Sequence, residues 1–565
     1  MVVLCCLRAS ARLQILVLGL WLILPAVAAA AGPDGAGDPL SEAGRAIYLE
    51  GRLPDGAPLQ ALRPEGFVLE GEHAACVTCH RESGMGSEEG ALDQTVLVPP
   101  VAGPVLFAPA RFHGTFLDAS HHWVPNAAWE RALTRDAYDE QGLARALRTG
   151  LDPDGRSLVA PMPRYALDDR AVAALAAYLR RLSAEPSPGV GADALRLATV
   201  ITPDARTDQT DAVLGVVRAW SAASRASGTG WGLQAWQLSG PPEGWEEQLE
   251  AKYREQPVFA LLSGVGGAEW GPVQRFCETR RIPCVLPVLD ATPDEAPRFY
   301  SVYFSPGVVL EARVLASYLE AGSAGGGTQP MLQVFSDASG QRAAAALTAA
   351  LGAETAATRQ QRFRPTAPTA GMASLADGSA LVLWLRPDEI GQLAAIRPEP
   401  PGTGPIYLSA LLAPPEALAL PPAWKARVTY VSLFDDLGIQ GEIAALRLRR
   451  WLDGQGLAPS RDPRPQADAY AACYLFAKSL GEIRGQEVRR PPVPLTREHV
   501  LETLETLVNK YADGTPWVDP DSHVAPYGRM SLGPRQRTAV RGGMLMRYAS
   551  PDSDRLVAAS DRILP

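Results

Sequence analysis

The stretch PVFALLSGVGGAEWGPVQRFCETRRIPCVLPV, residues 257–288, decides the fold of most of this chain. It begins with a short apolar run that ends at Ser263, passes through a glycine-containing loop, and enters a helical pattern over about 269–281. A second apolar run follows at 282–289. A strand, a helix and another strand at this spacing predict a βαβ unit with two parallel strands.

The same alternation continues on both sides of this unit. The predicted strands are 195–202, 233–238, 257–263, 282–289, 300–304, 331–335, 380–385, 406–409 and 428–434. The predicted helices between them are 208–226, 243–255, 269–281, 309–321, 339–352 and 387–396. Such alternation indicates parallel sheets with helices on both faces. Because it breaks near 305–330, we expect two α/β lobes.

The pattern of residue types changes between this region and the one before it. With 565 residues the chain is too long for one ordinary domain. The segment SAEPSPGVGAD, 183–193, is small, Pro- and Gly-rich and without apolar periodicity, which is typical of a linker. We therefore expect an N-terminal module over 41–183, a linker over 184–193 and a two-lobed module over 194–552.

The first thirty residues have the pattern of a secretory signal peptide. Arg8 and Arg12 precede an apolar run over 13–27, which ends in small residues. We expect export to the periplasm, with a membrane-anchored form as the alternative. The formal net charge of −9 argues against nucleic acid as a partner.

The pentapeptide CVTCH, residues 76–80, has the CxxCH spacing of a covalent haem site. It assigns Cys76 and Cys79 to the thioether bonds and His80 to the iron, and so predicts one haem c. A structural zinc site would need two more ligands nearby, but the later cysteines lie in the other module. A redox dithiol would need a buried strand before it, and the preceding segment is polar.

A second axial ligand is expected downstream, and Met162 is the candidate. Pro161 and Pro163 flank it and restrict the backbone, and an amphipathic helical pattern with Asp168 as its N-cap follows. Met85 is too near His80 to reach the other haem face. The remaining alternatives are a buried, gap-filling role for Met162, or ligation by one of His73, His113, His121 and His122.

The N-terminal module resembles a class I (mono-haem) cytochrome c. The resemblance rests on GRAIYLEG (44–51), CVTCH, PPVAG (99–103) and APMPRYAL with its closing helix, and it covers about 41–183. An insertion at about 104–140 departs from a minimal member of the family. The resemblance implies an all-α fold around one haem, His/Met ligation, and a proline carbonyl that orients the haem histidine, here that of Pro99 or Pro100.

The C-terminal module resembles a type 1 periplasmic binding protein of the branched-chain amino acid or amide class, the substrate-binding component of ABC transporters. The resemblance rests on 257–288, on QADAYAACYLFAKSLGEI (466–483) and on YGRMSLGPRQRTAVRGGMLMRYA (527–549). It implies two α/β lobes joined by hinge strands, with a ligand cleft between them.

Within that cleft we expect the loops at the carboxyl ends of the strands to meet a small polar ligand. The loop from Ser263 and Gly264 to Gly267 is the first candidate, because it opens a helix whose N–H groups are free. The loop that starts at Thr202 is the second, although its sequence TPDARTDQTD lacks the family's Gly-rich pattern. Docking of another protein is the alternative use of the lobes.

Cys277 and Cys284 are seven residues apart, at a predicted helix end and the start of the next strand. In an oxidising compartment they can form a disulfide if their Cα atoms lie within ~7 Å. Otherwise they are two buried apolar side chains.

Together these features predict an exported c-type cytochrome that transfers electrons to redox protein partners in the periplasm and carries a ligand-binding or docking module. One alternative is a small-molecule binding or sensor protein with an accessory haem module. Another is the electron-accepting subunit of a periplasmic dehydrogenase. No nucleophile, base or open metal position indicates catalysis, so an electron carrier is favoured over an enzyme.

Overall fold

The computed structural model describes residues 38–89, 96–110, 115–117, 123–125, 134–158, 161–226, 230–322, 330–352, 358–367, 372, 375–434, 439–487, 493–512, 527 and 530–565. The predicted signal peptide at 1–30 lies outside these ranges, as do His113, His121 and His122. Within the described part of the chain, no helix combines the length and the apolar character that a membrane span requires.

In the described part of the N-terminal module, five α-helices form the frame. They are α1 Pro39–Arg45, α2 Val77–His80, α3 Gly103–Leu106, α4 Glu140–Thr149 and α5 Asp169–Arg181. The side chain of Asp168 caps α5 by accepting a hydrogen bond of 2.7 Å from the N–H of Ala171, as its N-cap position predicts. Helix α1 crosses α5 at Gly44, where a Cβ atom would lie 2.0 Å from the carbonyl oxygen of Ala174.

The expectation of an all-α module is not met, because the connections between the helices pair as short antiparallel strands. Strands β1 Gln60–Leu62, β2 Val68–Glu70 and β7 Arg164–Tyr165 form one sheet in the order β2-β1-β7. Gly66, with φ of 90°, lies in the turn between β1 and β2. Two further hairpins join β3 Ser87–Glu89 to β4 Val96–Val98, and β5 Thr115–Leu117 to β6 Trp123–Pro125.

The first α/β lobe has the predicted strand and helix order, and all its strand ladders are parallel. Its strands are β8 Leu195–Ile201, β9 Trp231–Gln237, β10 Ala260–Leu262, β11 Val265–Gly266, β12 Cys284–Val285, β13 Val288–Leu289 and β14 Ser301–Val302. Its helices are α6 Thr207–Ala226, α7 Trp245–Glu255 and α8 Gly271–Arg280.

Two neighbouring strands of this lobe are interrupted at the same level of the sheet. β10 and β11 both pair with β8, while β12 pairs with β10 and β13 pairs with β11. The interruptions fall at Ser263 and Leu286, which both have a left-handed φ of 48°. The predicted loop 263–267 therefore re-enters the sheet as β11.

The second lobe is a seven-stranded sheet in the order β16-β15-β17-β18-β19-β20-β21. Its strands are β15 Met331–Phe335, β16 Thr358–Arg362, β17 Ala380–Trp384, β18 Ile406–Ser409, β19 Val428–Ser432, β20 Met544–Tyr548 and β21 Leu556–Ala558. The last two are antiparallel to their neighbours. Its helices are α9 Val308–Gly322, α10 Ala338–Leu351, α11 Pro387–Ile396 and α12 Pro422–Lys425.

After β19 the chain returns to the first lobe as three long helices. They are α13 Ile439–Gly454, α14 Arg464–Glu487 and α15 Arg497–Ala512. The ring of Trp451 on α13 stacks on Trp220 of α6 at 5.8 Å, and α14 packs against α6 and α15. One hydrophobic core accordingly extends through both lobes.

The predicted linker, 184–193, is packed against the first lobe. The N–H of Ser187 donates to the carbonyl of Leu495 at 3.0 Å, and its hydroxyl accepts from the N–H of Arg497 at 3.1 Å. Gly189 has φ of 100°, and a Cβ atom there would lie 2.1 Å from the backbone nitrogen of Phe259. This segment is therefore a fixed connection.

We expect limited proteolysis of the folded protein to spare 184–193, because its backbone is held on both sides. Gly189→Ala should destabilise the protein by about 1–3 kcal/mol and open this site to cleavage, since its φ is unfavourable for alanine. Gly391→Ala is the control, because nothing lies within 4 Å of a Cβ atom there. Cleavage of the unmodified protein within 184–193 before other sites would contradict the packed arrangement.

Candidate functional site

A crevice lies between the two lobes at the carboxyl ends of β13, β14 and β18. The cavity within it has a volume of about 30 Å³. The side chains that shape it include Asp290, Tyr303, Phe304, Arg464, Asp468 and Tyr527. The carboxyl ends of parallel strands are where ligands bind in open α/β sheets, so this is the candidate binding site.

Ion pairs hold the lobes together beside the crevice. Asp290, which follows β13 of the first lobe, accepts hydrogen bonds from Arg386 at 2.5 Å and from the Ser339 hydroxyl at 2.7 Å, both in the second lobe. Arg386 also donates to Asp337 at 2.8 Å. Burial opposes ionisation of Asp290, but the charge and hydrogen bonds of Arg386 outweigh it and lower the pKa of this carboxyl.

The guanidinium of Arg342 on α10 makes a second set of hydrogen bonds between the lobes. It donates to the carbonyl oxygens of Ala268 at 2.7 Å and Thr292 at 2.8 Å, which belong to the first lobe. The structure is therefore a closed arrangement, in which access to the crevice requires these contacts to open.

The start of α14 brings charged side chains to the crevice. Arg464 donates to Asp462 at 3.0 Å and to the carbonyl of Leu411 at 2.8 Å. One turn further on, Asp468 is 6% exposed, and its Oδ2 accepts from the Tyr527 hydroxyl at 3.4 Å. Its Oδ1 is buried and has no hydrogen-bond partner.

Burial of Asp468 opposes its ionisation. Burial raises the pKa of this carboxyl to about 7, although the nearby charge of Arg464 acts in the opposite direction. A carboxyl with this pKa changes charge near neutral pH, so its interaction with a ligand depends on pH.

Aromatic rings form the wall beside Asp468. The ring of Tyr527 stacks on Phe304 at 5.4 Å and lies 5.1 Å from the ring of Phe434. Tyr303 follows β14 and donates its hydroxyl to Gln274 at 2.7 Å. The crevice therefore combines an apolar wall with a few convergent polar groups, as small-molecule sites do.

The residues that the sequence assigned to the cleft lie elsewhere. Ser263 is fully buried at the break between β10 and β11, and its hydroxyl has no partner. A Cβ atom on Gly264 would lie 2.4 Å from the ring of Trp270. Thr202 is 2% exposed and donates to Asp204 at 2.5 Å. Of the predicted loop at 202–209, Gln209 lines the crevice.

Sequence reasoning missed Asp290, Asp468 and Tyr527 as site residues. A signal was present for Asp468, since it is a carboxylate within the Ala- and aromatic-rich helical run ADAYAACYLF, one turn after Arg464. Charged side chains are seldom fully buried without a partner. Asp290 and Tyr527 carried no comparable signal, because their partners are far away in the sequence.

The CxxCH segment spans the short helix α2 and the residue before it. Cys76 precedes α2 and is 9% exposed, and His80 ends α2 and is 7% exposed. The Nδ1 atom of His80 lies 3.0 Å from the carbonyl oxygen of Pro99. Pro99, and not Pro100, therefore makes the contact with the histidine ring.

The protonation state of His80 follows from this environment. Burial lowers the pKa of His80 to about 4, and the hydrogen bond to Pro99 only partly offsets this effect. The ring is therefore neutral at pH 7. With its Nδ1–H donated to Pro99, the lone pair of Nε2 is left as the ring's donor atom for a metal.

The side chains around Cys76 form one apolar cluster. Cys76 and Tyr165 belong to the buried core of the N-terminal module, and Met162 packs against that core with part of its side chain accessible. Burial raises the pKa of the Cys76 thiol to about 12. Met85 instead packs against Val493 of the C-terminal module. In the described part of the chain, no three His, Cys, Asp or Glu side chains group as a metal site.

The residue after His80 has an unusual backbone. Arg81 has φ of 68° and ψ of 172°, a combination that is almost restricted to glycine and costs about 1–3 kcal/mol. The Tyr48 hydroxyl donates to its carbonyl at 2.8 Å. Its guanidinium pairs with Glu505 on α15 of the C-terminal module.

A second carboxylate on α15 reaches the same segment. Glu502 accepts from the backbone N–H of Ser83 at 3.0 Å and also from its hydroxyl. Burial raises the pKa of Glu502 to about 8, with the charge of Arg81 acting in the opposite direction. The CxxCH segment is therefore held from both modules.

Cys277 and Cys284 are neighbours in the first lobe, and both are free, buried thiols in the structure. Burial raises the pKa of Cys277, and the hydrogen bond with Cys284 raises it further. The structure thus has the second of the two arrangements that the sequence allowed.

The chain folds as a two-lobed α/β protein with a crevice between the lobes. A smaller module that contains the CxxCH segment precedes the lobes in the sequence. No protein-family model matches the chain, and no curated protein shows a significant match.

Solved structures of binding proteins are similar to it. A branched-chain amino acid ABC transporter protein from Thermus thermophilus with bound valine has a TM-score of 0.48 at 10% identity, over 66% of this chain and 98% of that one. For a fatty acid ABC transporter substrate-binding protein from Thermomonospora curvata these values are 0.47, 15%, 68% and 95%. For a possible leucine/isoleucine/valine-binding protein from Rhodopirellula baltica SH 1 they are 0.45, 12%, 66% and 98%. TM-scores below 0.5 assign neither a family nor a ligand to this chain.

The raised pKa of Asp468 predicts a specific dependence of stability on pH. Its folded-state pKa of about 7 lies above the ordinary value of ~3.9, so its stabilising contribution is complete below pH ~4 and is lost as pH rises through 7. Asp468→Asn cannot ionise. Between pH 5 and pH 8.5 it should therefore gain on the order of 3 kcal/mol in unfolding free energy relative to the unmodified protein.

Denaturant unfolding at a series of pH values measures this difference. Asp552→Asn, at an exposed position, is the control and should give a curve parallel to that of the unmodified protein. A parallel curve for Asp468→Asn as well would mean that this carboxyl titrates normally.

Proposed function

We propose that this chain is an exported binding protein that holds a small polar molecule in the crevice between its lobes. The observation that carries the proposal is the Oδ1 atom of Asp468, which is buried at the crevice and has no hydrogen-bond partner. An unsatisfied buried acceptor costs about 1–3 kcal/mol. A ligand that donates a hydrogen bond there recovers this cost.

The other charges near the crevice define the chemistry of the ligand. Arg386 is paired with Asp290 and Asp337, and Arg464 is paired with Asp462. Among the described residues that line the crevice, the buried side-chain atom without a hydrogen-bond partner is Oδ1 of Asp468. The ligand therefore carries an N–H or O–H donor, as amines, amides and alcohols do, and its apolar part contacts the rings of Phe304 and Tyr527.

Binding is coupled to movement of the lobes. The ligand enters after the Asp290–Arg386 and Asp290–Ser339 contacts open, and these contacts form again when the lobes close around it. Hinged closure of this kind needs small changes in the segments that connect the lobes. The predicted signal peptide assigns this activity to the periplasm.

We expect small amines, amides or alcohols to raise the melting temperature of the full-length protein. A ligand at one hundred times its Kd adds about 2.7 kcal/mol of stability if it binds only the folded state. Asp468→Asn should abolish the gain, because it replaces the acceptor with a mixed donor and acceptor group. Asp552→Asn should retain it.

The comparison compounds are short carboxylates, which have no donor at neutral pH. If these compounds alone stabilise the protein, or if Asp468→Asn keeps the full gain, the crevice does not use Asp468. If no compound in any class shifts the melting temperature, the lobes serve as a docking module.

A second function, electron transfer, is favoured by the contact between His80 and Pro99. We propose that the N-terminal module carries one haem c, which supplies one-electron redox chemistry when bound. Cys76 and Cys79 hold it covalently, and the neutral imidazole of His80 offers Nε2 to the iron. Met162, at the edge of the same apolar cluster, is the second ligand.

The residues present fit this group. The thiols have the required spacing, the ring orientation of His80 is fixed by the 3.0 Å contact with Pro99, and the surrounding core is apolar. The exchange partners are redox proteins of the periplasm, and a role as the electron-accepting subunit of a dehydrogenase is the alternative.

Cys76→Ala combined with Cys79→Ala should remove covalent haem from protein produced with a haem-attachment system. Haem that stays with the unmodified, denatured polypeptide through acid-acetone extraction is the positive readout. Cys473→Ala, in a helix of the other module, is the matched control and should keep the haem. If the unmodified protein carries no haem that resists acid-acetone extraction, this second function is ruled out.

A further inference from the structure

A buried chain of charges joins the two modules next to His80. The guanidinium of Arg81 donates to one oxygen of Glu505, and the guanidinium of Arg537 donates to the other. The side chains of Arg81, Glu505 and Arg537 are 15%, 3% and 2% exposed. Arg81 belongs to the N-terminal module, whereas Glu505 and Arg537 belong to the C-terminal one.

These charges act strongly on their surroundings, because they are buried. Among these three groups, one carboxylate between two guanidinium groups leaves a net positive charge, and salt screens buried charges much less than exposed ones. One of the two guanidinium groups belongs to Arg81, the residue that directly follows His80. The carboxyls of Glu82 and Glu502 also lie near Arg81, and burial raises the pKa of both, which opposes their ionisation.

The position of Arg81 is fixed as well as its charge. Its backbone lies in a region that is almost restricted to glycine, so the surrounding contacts must hold it there. The Tyr48 hydroxyl holds its carbonyl on one side, and Glu505 holds its guanidinium on the other. Glu502, one helical turn before Glu505, binds both polar groups of Ser83.

The same chain continues to the crevice. The carbonyl oxygen of Arg537 accepts from the N–H of Tyr303 at 2.9 Å, and its guanidinium donates to the carbonyl of Phe299. Tyr303 lines the crevice between the lobes. Arg537 thus contacts both the crevice wall and the carboxylate that holds Arg81.

We propose that Glu505 and Arg537 of the C-terminal module act, through Arg81, as positioning residues of the haem site and set the haem midpoint potential. This inference rests on the proposed covalent haem. It goes further because it makes part of the binding module a component of the redox site. Separation of the two modules would then change the potential.

The sign of each effect follows from charge. Glu505→Gln removes a negative charge and leaves two guanidinium groups, which favours the less positive ferrous iron and raises the potential. Arg81→Gln removes a positive charge and lowers it. For a charge ~10 Å away at an effective dielectric constant of ~20, each change corresponds to about a tenfold shift in the ferric/ferrous equilibrium, or 59 mV for one electron.

The experiment is spectroelectrochemical titration of the full-length, haem-loaded protein and its variants. We expect opposite shifts for Glu505→Gln and Arg81→Gln, and an intermediate potential for the double variant. Glu505→Asp keeps the charge, so its ferric/ferrous equilibrium constant should stay within threefold of that of the unmodified protein. Glu246→Gln, which breaks the exposed pair with Arg275 in the first lobe, is the control and should shift nothing.

Opposite shifts are the decisive result. A loss of packing alone would not change the direction of the potential shift according to the sign of the charge that is removed. The inference is overturned if the two variants shift the potential in the same direction. It is also overturned if every variant keeps the ferric/ferrous equilibrium constant within threefold of that of the unmodified protein. Either result leaves the haem assignment intact. Unmodified protein that carries no covalent haem overturns both. If Glu505→Gln does not fold, Arg81→Gln and Glu505→Asp still give the comparison.

Discussion

The structure depends on the charged side chains that α15 buries between the two modules. Arg497, 4% exposed, donates to the carbonyls of Val258 at 2.6 Å, Phe259 at 2.9 Å and Pro188 at 3.1 Å. Glu505, about two turns further along the same helix, pairs with guanidinium groups from both modules. Loss of one partner of a buried pair typically costs 3–5 kcal/mol. These contacts therefore fix the first lobe, the connecting segment and the N-terminal module in one arrangement.

This arrangement places the two candidate sites in one continuous body. Residues directly after the CxxCH segment are held by α15, and the crevice lies between β13, β14 and α14. A cytochrome attached by a free linker would sample many orientations, whereas here the backbone of Ser187 and Gly189 is bonded to the lobe. The CxxCH segment and the crevice therefore belong to parts of the molecule that are in direct contact.

Much of the fold could be predicted because it depends on local patterns. The strands 331–335 and 406–409 and the helix 387–396 have the predicted bounds, since apolar runs and proline or glycine signals mark their ends. The contact of His80 with one of two prolines was also predictable. The all-α assignment failed because the pairing of short strands such as β1 and β7, about a hundred residues apart, leaves little trace in local sequence.

The sequence by itself determined the alternation of strands and helices, the division into two lobes and the CxxCH spacing, because spacing and periodicity are properties of neighbouring residues. Only the tertiary structure decided which residues face the crevice. Ser263 turned inward because the chain re-enters the sheet as β11, while Asp468 gained its unpartnered oxygen through burial at the crevice. Likewise the guanidinium of Arg81, next to His80, receives its carboxylate partner from Glu505, over four hundred residues later, so this ion pair exists only once the modules are packed together.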